Sequence, residues 1–325
     1  MYSNMDACSS RDRSEREGIL KNSTLCDANK NVPEEKTYSV EVVLCAFYRA
    51  LTDRLMKKFS VEDFDVFIST YHLIRNYREI ISGQLPTEID FNDKATCLGY
   101  LHRYAACHTA LVLEAVSSMF DSPSNELFLK TYSKRLNVIF LGSGPGNDVL
   151  GFLIALYGNH ERIVDLDVTV VDKMSGWKDM FTETIELFKR IKKPRYIKDR
   201  NIFDDVNVSL SFVSADLTDS DEWSDELLDK LESADVVFFV KSLSHIPDSK
   251  KKKVLKNVID CMEQESLLVY IDYPYPSRVF SCLSSSLRSV YRSPKEKYEF
   301  GYKYSKFGWD NNTFCHAVVR IFERC

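Results

Sequence analysis

The sequence predicts an α/β fold, a mostly parallel β-sheet preceded by an N-terminal helical region. Three observations predict it. Apolar residues recur at helical spacing from about Tyr38 to Lys134. From Leu136 onward the period changes to short continuous apolar runs, as in strands buried on both faces. Helix-like segments separate those runs, and such alternation implies βαβ units with right-handed crossovers.

Residues 1–36 are rich in Ser, Asn, Asp, Arg, Glu and Lys without periodicity, and read as a disordered tail. Residues 37–134 form the helical region. Val42, Val43, Ala46, Phe47, Ala50, Leu51 and Leu55 mark a first helix. Ser60 offers an N-cap for the next, with Asp63 as an imperfect capping box. Phe64, Phe67, Tyr71, Ile74, Tyr77 and Ile81 make its stripe, which Gly83 and Pro86 break. A third stretch runs from about Lys94 to Met119, and Asp121-Ser-Pro-Ser ends it.

Residues 135–325 carry the sheet. Strands are expected at 137–141, 167–171, 210–213, 234–240 and 267–271, with a last one at 317–322 after an aromatic-rich stretch. Helices are expected at 149–156, 180–191, 225–231 and 254–262.

Composition bounds the function. Hydrophobic content of 44% and charged content of 28% are ordinary for a globular protein. A formal net charge of −5 excludes a global basic field for gripping nucleic acid. No apolar run is long enough to span a bilayer, and the polar first thirty residues lack the apolar core of a secretory signal. The nine Cys include no C-x-x-C pair and no zinc-ligand spacing, so no metal is expected. Several Cys sit in apolar stretches, which fits a reducing compartment, cytoplasmic or nuclear.

The sharpest local signal is Phe140-Leu-Gly142-Ser143-Gly144-Pro-Gly146-Asn-Asp148. Strand, glycine turn and helix make a ligand-binding turn at the carboxyl end of a sheet. Glycines let the backbone turn tightly and let a ligand approach without a Cβ in the way. A dinucleotide fingerprint needs G-x-G-x-x-G, and its third glycine would fall at Asn147. The spacing here is G-x-G-x-G. A purely structural turn and a different nucleotide-binding domain are the alternatives.

Four further elements follow in order: Val168-Thr-Val-Val-Asp172-Lys173, Phe212-Val-Ser-Ala-Asp216, Phe239-Val-Lys241-Ser-Leu-Ser-His245 and Tyr270-Ile-Asp272-Tyr-Pro274. With the glycine loop, they make residues 136–275 resemble the class I S-adenosylmethionine (SAM)-dependent methyltransferases. That resemblance implies a Rossmann-like seven-stranded sheet, SAM as cofactor and methyl transfer to a nitrogen or oxygen of an acceptor. It implies that Gly142, Ser143, Gly144 and Gly146 wrap the methionine part of the cofactor. Asp172, with Lys173 beside it, would take the ribose hydroxyls, and Asp216 the adenine amino group. Lys241 would line the cavity near the methyl group. The family's acid two residues before the first glycine is replaced by Phe140, and Asp148 is the nearest substitute. The layout is also similar to the fungal family that methylates uridine N3 in large-subunit ribosomal RNA.

Tyr100, Tyr104 and His108 recur every four residues and share a helix face. They read either as packing on the sheet or as a cap over the cofactor, with Tyr104 a candidate contact. His245 is placed as a candidate catalytic base, or equally as a loop histidine. The basic runs from Lys189 to Arg200 and from Lys250 to Lys253 read as solvated faces or as phosphate contacts. Asp248 or Ser249 would cap the helix behind the second run. The aromatics from Tyr291 to Trp309 suit a late strand, or a base or cationic ligand. Strand four lacks the Asn/Asp-Pro-Pro-aromatic motif of methyltransferases that act on planar amino groups. The rival functional classes are a catalytically silent scaffold for a protein or RNA, which Phe140 supports, and an NAD-dependent enzyme, which Asn147 opposes.

Overall fold

The computed structural model describes residues 39–80, 84–121, 126–190, 202–274, 280, 283–293 and 296–325. The tail at 1–36 and most of the basic run after Lys189 lie outside the described residues.

The helical region comprises α1 (Val40–Phe59), α2 (Asp63–Arg75), α3 (Tyr77–Ile80), α4 (Lys94–Tyr100), α5 (Ala106–Phe120) and α6 (Glu126–Lys130). The Ser60 cap is corrected. Met56 and Phe59 pack on the core, so α1 continues to Phe59, and Ser60 closes it in the left-handed region (φ 54°). Glu62 is the N-cap of α2, and its N–H donates to Asp65 Oδ2 at 3.3 Å. The expected single helix from Lys94 is interrupted by a π turn, Leu101–Ala105, between α4 and α5.

The alternating part follows as β1 (Arg135–Leu141), α7 (Asn147–Leu156), β2 (Asp165–Asp172), α8 (Gly176–Arg190), α9 (Ile202–Asp205), β3 (Asn207–Ser214), α10 (Asp225–Glu232), β4 (Val236–Val240), α11 (Asp248–Cys261) and β5 (Leu267–Asp272). It closes with β6 (Leu287–Arg292), β7 (Lys297–Glu299), β8 (Ser305–Lys306), β9 (Trp309–Asp310), β10 (Phe314–His316) and β11 (Val318–Arg324). The main sheet is seven-stranded, in the order β3-β2-β1-β4-β5-β11-β6. The β3 to β5 pairings are parallel, and β11 inserts antiparallel between β5 and β6. The fold class is the one the sequence predicts.

Alternate strand residues feed two cores. Phe140, Val170, Phe238 and Val269 face the helices α1, α5, α7 and α8. Leu141, Val171, Phe239 and Tyr270 face α10 and α11. β4 and β5 are buried along their whole length, which explains their unbroken apolar runs. The late aromatics mostly pack inward. Tyr298, Phe300 and Phe307 are buried, and Trp309 stacks on Phe67 with ring centres 5.6 Å apart. Neither Asp248 nor Ser249 caps α11. Pro247 occupies that position, and the exposed Asp248 pairs with Lys251 at 2.6 Å.

Helices α5 and α7 are held by a buried polar chain. Tyr48 Oη lies 2.6 Å from Thr109 Oγ1, which donates to the Asn147 carbonyl at 3.0 Å. Removing the hydroxyl strands both partners away from water. Thr109→Val is expected to cost about 1–3 kcal/mol, read as a lowered denaturant midpoint; an unchanged midpoint would count against the chain's role.

Candidate functional site

Register brings the strand ends together. Leu141 pairs with Val171 and with Phe239, Asp172 with Ser214, and Val240 with Ile271. The loops that follow β1 to β4 therefore emerge at one sheet edge, where connections leave β1 towards β2 on one side and β4 lies on the other. That crevice is where open α/β sheets bind ligands.

The glycine loop is built for close approach. Gly142, Gly144 and Gly146 all have positive φ, at 70°, 51° and 79°. A Cβ on Gly142 would stand 2.6 Å from Ser242 Cβ, and one on Gly146 2.4 Å from the Phe181 ring. The Gly142 N–H donates to the Val171 carbonyl at 2.7 Å. The Gly144 N–H donates to Asp172 Oδ2 at 3.1 Å, while the Met174 N–H donates to Oδ1 at 2.9 Å. Asp172 thus ties the loop to the tip of β2. Burial pushes its carboxyl up to about 6, and those N–H donors with Lys173 limit the rise.

Asp148 sits in the first turn of α7, 3% exposed. It accepts from Ser143 Oγ at 3.0 Å and from Asn147 Nδ2 at 2.5 Å. Burial raises its carboxyl well above the usual range, and the Ser143 hydrogen bond only partly opposes this. Asp216 differs. Its partial burial favours the neutral form, but the Thr218 N–H at 2.8 Å and Lys173, with an Nζ 3.8 Å away, outweigh that and hold it low.

Lys241 follows β4 with φ 50°, an unusual conformation for a side-chain-bearing residue. Its Nζ donates to the His316 carbonyl at 2.8 Å and lies 3.9 Å from Asp272 Oδ1, and the residue is 6% exposed. The ammonium therefore points away from the cavity, while the rest of the residue forms wall. His245 opens onto the cavity, yet the surrounding protein pushes its imidazole down to about 4, with Asp272 opposing and Lys241 assisting.

These residues enclose a cavity of about 340 Å³. Gly142, Ser143, Gly144, Asp148, Asp172, Lys173, Asp216, Lys241 and His245 all line it. Two predicted contacts do not. Gly146 backs onto Phe181, and Tyr104 is buried in a stack with Tyr77, ring centres 5.5 Å apart. Tyr100 and Tyr104 share a face, ring centres 5.5 Å apart, and of the two it is Tyr100 that reaches the cavity. Phe140 is 1% exposed and stacks on Phe238 at 4.6 Å, so it belongs to the core. Sequence reasoning missed Phe91, which packs on Trp177 at 5.0 Å over the loop; Ser242 lies in the segment it placed at the cavity, and its buried Oγ has no hydrogen-bond partner. Phe91 lies in an irregular stretch with no periodic signal. Among the described residues, no three His, Cys, Asp or Glu gather to hold a metal, and no helix is long and apolar enough to cross a membrane.

No protein-family model matches the chain, and no curated protein sequence does. Among solved structures, it is similar to an O-methyltransferase family protein from Burkholderia thailandensis, at 13% identity over 80% of this chain and 71% of that one, TM-score 0.43. It is similar to the N-methyltransferase NodS from Bradyrhizobium japonicum WM9, at 13% identity over 67% of this chain and 93% of that one, TM-score 0.36. NodS has also been solved in complex with S-adenosyl-L-homocysteine. TrmN from Thermus thermophilus is similar at 10% identity, over 68% of this chain and 49% of that one, TM-score 0.36.

Proposed function

We propose that this chain binds SAM in the cavity beside the glycine loop and transfers its methyl group to a nitrogen or oxygen of an acceptor. The observation that carries this reading is a pair of carboxyls, the buried Asp148 and the half-buried Asp172, flanking glycines that leave room for a ligand. A dinucleotide would set its pyrophosphate at the N-terminus of the helix after the loop. Here the buried Asp148 carboxyl occupies that first turn and holds the Ser143 hydroxyl, in place of a turn left open to phosphate. An incoming methionine ammonium would favour ionisation of the same carboxyl. The cavity volume lies within the ~300–1,000 Å³ range of small-ligand sites.

Bound SAM would supply a methyl group on a sulfonium, already an excellent leaving group. The protein's work is then chiefly positioning and exclusion of water. Asp172 accepts from ribose hydroxyls, Asp216 from the adenine amino group, and Ser242 Oγ is free to hydrogen-bond an occupant. Phe91, Tyr100 and Trp177 give an apolar wall. His245 is the candidate base; held neutral, its imidazole can take the acceptor's proton, although its low basicity limits it to acidic or easily relayed protons.

Calorimetric titration with S-adenosylhomocysteine (SAH), beside NAD⁺, tests the reading. Micromolar SAH binding with no heat from NAD⁺ is expected. No SAH heat from a demonstrably folded sample would overturn it in favour of a silent scaffold.

Affinity should also depend on pH. Asp172 has a raised pKa in the fold, so its own contribution to stability is present in acid and lost as pH rises through about 6. Ligand binding runs the other way, because the ionised carboxylate is the better acceptor for two hydroxyls. SAH affinity is expected to weaken below that pH by up to ~10-fold per unit. A profile flat between about pH 5 and 8 would remove Asp172 from the contact set.

A further inference from the structure

Among the described residues three carboxyls are buried, those of Asp148, Glu183 and Asp272. Two of them have cations. Arg54 and Lys58 meet Glu183 at 2.6 and 2.8 Å, and Lys241 Nζ stands 3.9 Å from Asp272, which also accepts from the Ser244 and Tyr273 N–H groups at 2.8 and 2.7 Å. Asp148 is the exception. No Lys, Arg or His nitrogen of the described residues stands within ion-pair distance of it. Its partners are neutral, the Ser143 hydroxyl at 3.0 Å and the Asn147 amide at 2.5 Å. Yet it is this carboxyl, of the three, that lines the cavity.

The surroundings are short of donors as well as of positive charge. Asn147 Oδ1, on the neighbouring residue, is buried without a hydrogen-bond partner. The titratable groups around Asp148 are Tyr48 of α1, Tyr100 of α4, Asp272 of β5 and Cys315 of β10, none of them a cation. A buried carboxylate without a counter-ion is costly, so the empty site keeps the acid protonated. Ser143 suits both forms, because a hydroxyl donates to a carboxylate and accepts from a carboxylic acid. An alkylammonium supplies what is missing, a positive charge and three donors.

We propose that Asp148 is an ammonium subsite that exchanges a proton for a cation: it meets the amino group of the cofactor as a neutral acid, ionises as that group docks, and so selects ligands that carry the amino-acid end. The exchange balances in charge. A neutral acid and an ammonium become an ion pair, and one proton passes to solvent. The carboxyl is harder to ionise in the empty site than in the complex, so affinity rises with pH between those two limits, by up to ~10-fold per unit. The inference rests on the cofactor reading and adds to it the end of the ligand that decides selectivity.

The test is calorimetric titration of the full chain with SAH and with methylthioadenosine, each in phosphate and in Tris. Tris takes up protons with a large heat and phosphate with a small one, so the difference between buffers counts protons. Methylthioadenosine keeps the adenine and ribose but lacks the amino-acid end, and it reports whatever Asp172 releases by itself. At about pH 7, SAH is expected to release roughly one proton more than methylthioadenosine. It is also expected to bind at least ~10-fold more tightly. Asp148→Asn, if its unfolding curve stays cooperative, should remove the extra proton and most of the extra affinity. Should that variant fail to fold, the comparison of the two ligands on the unaltered chain still decides. Equal proton counts for the two ligands would overturn the exchange, as would an Asn variant that still releases the extra proton. Binding of methylthioadenosine without SAH would overturn the subsite while leaving the nucleoside part of the cavity in place. No heat from either ligand, from a folded sample, would overturn the cofactor reading itself and the subsite with it.

Discussion

Asp172→Ala is expected to weaken SAH binding by roughly 100-fold or more, because a charged acceptor for two hydroxyls is worth about 1.5–3 kcal/mol per hydrogen bond. The substitution also releases the Gly144 and Met174 N–H groups, which Asp172 holds at 3.1 and 2.9 Å. The glycine loop then loses its tie to β2, and ordering it adds to the cost of binding. Asp172→Asn separates the two contributions. Its amide keeps one acceptor oxygen and nearly the same shape, so an intermediate loss of about 10-fold is expected. Unfolding curves should stay close to wild type for Asn, which keeps the affinity change interpretable. An Ala variant that binds SAH within about 3-fold of wild type would move the ribose elsewhere in the cavity, since a single charged hydrogen bond is already worth more than that.

The second large effect is on stability. Gly151 lies in the middle of α7, where glycine is unfavourable by about 1 kcal/mol relative to alanine. Its retention has a packing cause. A Cβ there would stand 2.6 Å from the Thr109 carbonyl oxygen and 2.9 Å from Val112 Cβ, both on α5. Backbone cannot step aside as a flexible side chain can, so α7 must part from α5 and open the core. Gly151→Ala is expected to cost about 3 kcal/mol despite its better helix propensity, and Gly151→Val to abolish cooperative unfolding. Gly158→Ala is the control. It has φ 98° but no atom within 4 Å of the added Cβ, so it pays only backbone strain of about 1–2 kcal/mol. Equal denaturant midpoints for the two Ala variants would refute close packing as the reason for Gly151.

What could be read from the sequence was local. The strands announced themselves because burial on both faces makes unbroken apolar runs, and the glycine loop with Asp172 and Asp216 because each follows a strand end. Features set by distant contacts stayed hidden. Ser60 is the better N-cap by residue type, yet the packing of Phe59 extends α1 and leaves the cap of α2 to Glu62. The i, i+4 spacing of Tyr100 and Tyr104 does bring their rings together, but only distant packing decides that Tyr100 lines the cavity while Tyr104 is buried against Tyr77. Phe140 was legible as an absence of acid. That its place is taken by a stack with Phe238 and Phe152 was not. Phe91, in an irregular stretch, leaves no trace in local pattern.

The position of β11 has a consequence for synthesis. Among the described residues, β6 pairs in the main sheet only with β11, and Lys241 is anchored by the carbonyl of His316, just ahead of it. A growing chain can form the parallel core from β1 to β5 while the ribosome is still translating the rest. It cannot seat β6 or finish the cavity wall until residues 316–324 have cleared the exit tunnel. A chain stalled before His316 would lack the partner of β6 and present an unpaired sheet edge to chaperones.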